Sequence, residues 1–250
     1  MTGNYDRIAR FYDIDMAQNM QFDDVGFYVR LAAQARGPVL ELGCGNGRIL
    51  LPLLRAGLDA TGVDDSAGML AELRRKAAAQ NVAAKVTKMD VRDLDLRLRF
   101  ALILCPYSLV TYVTEDRDLE RLLRGVREHL RPDGRFIVDA FVPRPMAVDA
   151  EFRLDYRRPF GDGALTRWKR VSAASPVTNC IERRYQIIDA AGIITEEIDV
   201  REIIRPFAPG RLRDAIFAAR LVPEQEWWDY GTQEEPEGAQ FYTLMARASD

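Results

Sequence analysis

The chain has 250 residues, enough for one full hydrophobic core or a core with a small accessory lobe. Hydrophobic residues make up 48% and charged residues 29%, and the formal charge of −3 excludes a global basic field that would hold nucleic acid. No apolar run approaches the roughly 20 residues that span a bilayer, and Cys44, Cys105 and Cys180 are scattered without CxxC spacing, against a disulfide framework or a metal site.

The first half alternates short apolar runs with amphipathic stretches, the pattern of β–α units around a parallel sheet. Met1 to Ile14 is charged and aromatic, without the apolar stretch of a signal peptide, so a reducing cytoplasm is the expected compartment. Asp23 to Ala35 reads as a helix, with Val25, Phe27, Tyr28, Leu31 and Ala32 as its apolar stripe. Pro38 to Leu42 is a short buried strand, Gly43 to Gly47 a glycine loop, and Arg48 to Ala56 a helix closed by Gly57. Ala60 to Val63 is the second strand. Ser66 then caps a helix through Ala79 that carries Met69, Leu70 and Leu73 on one face. Lys85 to Met89 gives a third strand. Phe100 to Cys105 gives a fourth, whose unbroken hydrophobicity suits a strand covered on both faces. Leu119 to Leu130 is a helix stopped by Pro132 and Gly134, and Phe136 to Phe141 is the fifth strand. His129, the only histidine, sits late in that helix, where a cation is favourable.

The texture changes after Pro143 and Pro145. From Phe152 to Ile204 the chain is β-rich, with turn signals at Gly161-Asp162-Gly163, Ser175-Pro176 and Ala190-Ala191-Gly192, which fits three or four antiparallel strands. Arg183, Tyr185 and Ile187 fall on one side of a strand, Arg184, Gln186 and Ile188 on the other. Pro209 to Arg220 is a helix again, and Val222 to Trp228 with Gln240 to Ala246 forms a closing hairpin. The expected fold is α/β: a Rossmann-like, doubly wound, mostly parallel seven-stranded sheet with an antiparallel β insert after the fifth strand. Residues 1–145 form the core with its N-terminal helices. Residues 146–205 form the insert, a substrate lobe or a contact for a second copy in a homodimer. Residues 206–250 return to the core.

The strongest chemical signal is Val39-Leu40-Glu41-Leu42-Gly43-Cys44-Gly45-Asn46-Gly47, at the carboxyl end of the first parallel strand, where open α/β sheets bind ligands. A dinucleotide site would use GxGxxG with a pyrophosphate on the helix N-terminus. Here the spacing is GxGxG, Arg48 takes the third-glycine place, and the strand-end acid Glu41 suits a ligand bearing an ammonium. Asp64, at the end of the second strand, can accept from ribose hydroxyls. Asp90, after the third strand, can accept from an adenine amino group, with Met89 or Val91 flanking the ring.

These segments resemble the class I S-adenosylmethionine-dependent methyltransferases, with ELGCGNGR as the glycine motif, GVDDSAGML as the ribose motif, KMDVRDL as the adenine acid and LRPDGRFIVD leading into the fifth strand. The N-terminal YDRIARFYD resembles the opening helix of the small-molecule N-methyltransferase branch that acts on amino sugars and glycine-type amines. The resemblance implies that Gly43, Cys44, Gly45 and Gly47 line the methionine moiety of S-adenosylmethionine with Glu41 beneath, and that Tyr12 covers that end. It implies Asp64 or Asp65 on the ribose, Asp90 on the adenine, and Met69, Met89, Val91 and Cys105 around the cofactor. S-adenosylhomocysteine would be the product.

For the acceptor, Tyr107 and Asp139 are the candidates to assist delivery of a neutral nucleophile, and Tyr107, Trp168, Arg183 and Tyr185 to contact it. Cys105-Pro106-Tyr107 lacks the acid or amide and the second proline of the (D/N)PP(Y/F) signature, and a wall of the transfer site is its simpler role. Between Arg144 and Arg184 nine basic residues face five acidic ones, so Arg153, Arg157, Arg158, Arg167, Lys169, Arg170, Arg183 and Arg184 either meet an anionic acceptor or stud an exposed β face. The expected function is methyl transfer to N or O of a small molecule, with no nucleic-acid or membrane partner. The alternatives are a non-catalytic S-adenosylmethionine-binding protein and a protein or RNA methyltransferase.

Overall fold

The computed structural model describes residues 4–17, 20–143 and 151–249. The main sheet is built from β1 (Val39–Leu42), β2 (Ala60–Asp64), β3 (Lys85–Lys88), β4 (Phe100–Cys105), β5 (Leu130–Phe141), β10 (Leu221–Trp228) and β11 (Phe241–Ala248). Their order is β10-β11-β5-β4-β1-β2-β3. β1 to β5 pair in parallel; β11 runs antiparallel to β5, and β10 antiparallel to β11. β1 and β4 lie at the centre, and all four residues of β1 are buried, as a strand covered on both faces requires.

Helices cover the two faces. α1 (Asn4–Ile8), a short 3₁₀ turn at Ala9–Phe11 and α2 (Tyr12–Met16) form an N-terminal strap. α3 (Asp24–Gln34), α4 (Leu50–Arg55), α5 (Ala67–Ala79), α6 (Asp116–His129) and α7 (Pro209–Ala218) follow. α5 starts where expected, because Ser66 accepts from the Met69 amide. α6 begins three residues ahead of the expected Leu119: Asp116 and Asp118 occupy its first turn, where the helix dipole favours acids. α6 buries Leu119, Leu122, Leu123 and Val126, four positions on one helical face. His129 is tied down at the end of α6 by two hydrogen bonds. Its Nε2 accepts from the Leu96 amide at 3.0 Å while Nδ1 donates to the Gly125 carbonyl at 2.7 Å.

β5 is longer than the expected Phe136–Phe141. Its ladder with β4 shifts register between Phe100 and Leu102, which lets Pro132 and Gly134 sit inside the strand rather than before it.

The insert is a separate four-stranded antiparallel sheet, β6 (Arg153–Phe160), β7 (Gly163–Ala173), β8 (Asn179–Ile188) and β9 (Ile194–Ile204), paired in chain order. Its inner face carries Tyr156, Leu165, Tyr185, Ile198 and Val200, packed with Ile8 and Phe11 of the strap. The strap therefore lies between the two sheets. The expected boundary at 145/146 falls outside the described residues. No helix among the described residues is long and apolar enough to cross a membrane.

Candidate active site

The carboxyl ends of β1, β2 and β4 meet the strap around a crevice of about 110 Å³. Glu41, Gly43, Cys44, Gly45, Asp64, Asp65 and Met69 line it together with Tyr5, Tyr12, Tyr107 and Tyr112. Glu41 is 3% exposed, and its Oε2 has no hydrogen-bond partner among the described residues. Burial pushes its carboxyl well above the ordinary range, with Arg48 opposing. An open carboxylate oxygen on a crevice wall is an acceptor that a ligand can complete.

Asp64 accepts from the Gly45 and Ser66 amides, both at 2.8 Å, and so ties the glycine loop to the start of α5. Each of its oxygens retains a further lone pair. Burial raises its carboxyl, and the two amides work against that shift. Two glycines of the loop serve different ends. A Cβ on Gly45, at φ +52°, would meet nothing closer than a backbone oxygen at 4.0 Å, so its bareness leaves open room. A Cβ on Gly47, at φ +88°, would strike Leu51 and Leu73 at 2.9 Å, so its bareness serves packing of α4 and α5.

The strap closes the crevice. Asp6 accepts from Ser66 Oγ at 2.7 Å and from the Gly68 amide at 2.6 Å at the start of α5. Asp13 accepts from Asn46 of the glycine loop at 2.8 Å and pairs with Lys76 at 2.5 Å. On its other side Asp15 is held by Arg167, by Tyr156 at 2.6 Å and by Tyr185 at 3.2 Å, all from the insert. Seven residues apart, Tyr5 and Tyr12 reach the same crevice, and the Tyr5 and Tyr112 hydroxyls lie 2.9 Å apart. Burial raises all four phenols, Tyr107 to about 12. Arg48 grips Asp24 through two bonds of 2.8 and 2.7 Å and lays its guanidinium over Tyr107, 5.2 Å from the ring centre.

The structure thus gathers Tyr12, Glu41, Gly43, Cys44, Gly45, Asp64, Asp65, Met69 and Tyr107 in one place. The remaining candidates do not line the crevice. Asp90 is turned to its own chain neighbour: Arg92 holds it through a 2.5 Å ion pair and its backbone amide, which lowers the Asp90 carboxyl. Met89 and Val91 pack into the core beside it, as does the fully buried Cys105. Asp139 is fully buried behind the crevice. Trp168 pairs with Arg184 on the outer face of the insert and donates to Gln186 at 3.2 Å, away from the strap. Arg183 and Tyr185 do face inward, but one is paired with Glu202 and the other bonded to Asp15.

Sequence reasoning missed Tyr5, Tyr112 and Arg48. The seven-residue spacing of Tyr5 and Tyr12 was a usable signal; Tyr112 left none. The basic excess of the insert is largely matched across strands, as Arg170–Glu182, Arg183–Glu202 and Arg184–Asp199 show, with Arg167 on Asp15 and Asp155.

Residues 39–134 match a family described as a methyltransferase domain. A dTDP-3-amino-3,6-dideoxy-alpha-D-glucopyranose N,N-dimethyltransferase of Streptomyces fradiae is 29% identical over 137 residues, 53% of this chain and 52% of that one. The chain spans about half the length of the curated relatives it matches. In fold, an S-adenosylmethionine-dependent methyltransferase from Clostridium acetobutylicum ATCC 824 superposes with a TM-score of 0.82 at 17% identity, over 99% of this chain and 100% of that one. The sugar N-methyltransferase KedS8 from Streptoalloteichus sp ATCC 53650 does so with 0.75 at 22% identity, over 95% and 93%. These superpositions extend well beyond residues 39–134, so the insert and the strap belong to a fold shared with those two solved structures.

Proposed function

We propose that this chain is an enzyme that transfers the methyl group of S-adenosylmethionine to an amino group of a small molecule. The observation that carries the proposal is the convergence, in one strapped crevice, of the open Glu41 oxygen, the bare Gly45 backbone, the Asp64 carboxylate and four tyrosines. Acids on adjacent strand ends suit a ligand with an ammonium and a ribose, and open room at Gly45 suits backbone approach. The amino-group acceptor follows the sugar amines in the names of the Streptomyces and Streptoalloteichus proteins.

When bound, the cofactor supplies a methyl group already activated by sulfonium, so the protein needs to bind, orient and exclude water. Glu41 would accept from the ammonium of the methionine moiety beside Gly43 and Gly45. Asp64 would accept from the ribose, with Asp65 as the neighbouring carboxylate, and Met69 would offer an apolar surface to the nucleoside. Tyr12 and Tyr107 offer ring faces, which favour a cation. Their phenols stay protonated at neutral pH because burial opposes the phenolate. Alignment at roughly 3–3.5 Å can supply about 7–11 kcal/mol at most, so a dedicated base is not required.

Calorimetry with S-adenosylhomocysteine should give one site with a Kd on the order of micromolar, about −8 kcal/mol. Absence of binding by product and cofactor alike ends the proposal. Mass spectrometry of a pool of amino sugars, amines and phenols after incubation with S-adenosylmethionine should show a methylated amine. A protein or RNA product instead would transfer the activity to those classes.

A further inference from the structure

Behind the crevice, Asp139 of β5 forms a buried junction. It is 0% exposed and accepts four hydrogen bonds from three other parts of the fold. Oδ2 accepts from the Tyr28 hydroxyl of α3 at 2.5 Å, from the Tyr230 hydroxyl between β10 and β11 at 2.8 Å, and from the Tyr107 amide at 2.9 Å. Oδ1 accepts from the Ser108 amide.

The two amides belong to an unusual piece of backbone. Tyr107 and Ser108, just past β4, both adopt φ +55°, a left-handed conformation that non-glycine residues resist. Successive N–H groups in a tight reversal can converge on an anion. Here the anion is internal, and its charge is met by four donors while burial works to raise its pKa. Tyr107 lines the crevice, and the Arg48 guanidinium lies over its ring. Phe141 and Phe241 pack on it at 5.8 and 6.3 Å between ring centres.

We propose that Asp139 is a positioning residue: its carboxylate clamps the left-handed Tyr107–Ser108 turn and thereby fixes the Tyr107 ring as a wall of the cofactor crevice. That the crevice takes S-adenosylmethionine rests on the function proposed above; the clamp itself does not. An amide cannot replace the carboxylate without loss, because one end of Asn donates where four donors already converge.

Two readouts test this. In Asp139→Asn, hydrogen exchange at the Tyr107 and Ser108 amides should accelerate by about 100-fold while β1 and β4 stay protected. Affinity for S-adenosylhomocysteine should fall by about tenfold. In a Tyr107→Ala background the same substitution should change affinity by less than about twofold, because the ring it positions is gone. A purely structural role would leave the two effects additive. Additivity, or unchanged exchange at the two amides, overturns the proposal. If Asp139→Asn does not fold, Tyr230→Phe removes a single donor; faster exchange at both amides with about threefold weaker binding supports the clamp, and unchanged exchange overturns it. Wild-type protein that fails to bind S-adenosylhomocysteine refutes the cofactor reading alone, since exchange still reports on the clamp.

Discussion

The glycine-loop side of the crevice and the insert sheet treat charge in opposite ways. Glu41 on the loop side keeps a buried oxygen without a partner among the described residues. On the insert, Arg170, Arg183 and Arg184 meet carboxylates on the neighbouring strand, and Arg167 meets Asp15 and Asp155. Leaving a buried polar group unsatisfied costs about 1–3 kcal/mol, which a fold tolerates where a ligand completes the bond. Cross-strand ion pairs instead complete the charge within the sheet that carries them. Charge completed within the chain therefore marks scaffold, and charge left open marks the ligand side.

The largest expected effect breaks the scaffold side at its most buried pair. Arg167 and Asp15 have side chains only 5% and 7% exposed. Asp15→Ala leaves a buried guanidinium without that partner, and removes the acceptor that Tyr156 and Tyr185 share. Loss of about 3–5 kcal/mol is expected in urea unfolding. A loss below about 1 kcal/mol would show that the strap and insert do not depend on this junction.

Next in size is the ligand side. Asp64→Ala should weaken S-adenosylhomocysteine binding by roughly 100-fold, since two charge-assisted bonds to hydroxyls go with the carboxylate. Calorimetry at matched pH checks it. Unchanged affinity would move the ribose contact to Asp65, which lines the same crevice.

How far these sites were legible differs in the same way. The βα alternation, the strand-end acids and the glycine loop stand in the sequence because each is local: a few residues, one turn, one strand end. Asp64 could be placed from its position in β2 alone. The Arg92 contacts of Asp90 could not be read so, because they depend on a side-chain fork the motif does not encode. The partners of Asp139 were invisible for a similar reason. Its place at the end of β5 can be read in one dimension, but the tyrosines it meets lie 111 and 91 residues away in the chain. The arginines of the insert left an anion site and a studded β face both open, because their partners lie on other strands and on the strap.

Glu41→Gln sharpens the comparison by closing the open charge. Burial raises the Glu41 carboxyl in the folded state, so its stabilising contribution is present below the ordinary carboxylate range. It is lost as pH rises through the raised folded value. The glutamine variant lacks that loss. Its thermal midpoint without ligand should exceed the wild type by a margin that grows with pH from the ordinary carboxylate range upward, while S-adenosylhomocysteine binding weakens by about tenfold. A midpoint difference that does not change with pH would place the Glu41 charge outside the folding balance.

The smallest effect belongs to the outer face of the insert. Arg170 pairs with Glu182 at 2.8 Å, with side chains 34% and 24% exposed. Solvent screens such a pair, and ordering two long side chains offsets much of the attraction. Arg170→Ala should therefore leave both the thermal midpoint and S-adenosylhomocysteine affinity at the wild-type values. The contrast with Asp15→Ala is the informative part, because each substitution breaks an ion pair made by an arginine of the same small sheet, one within the sheet and one to the strap. If the outer variant lost cofactor affinity while the inner one kept it, the inner face would not be the side through which the insert holds the strap over the crevice. The Arg170 side of the sheet would then be the one coupled to the ligand.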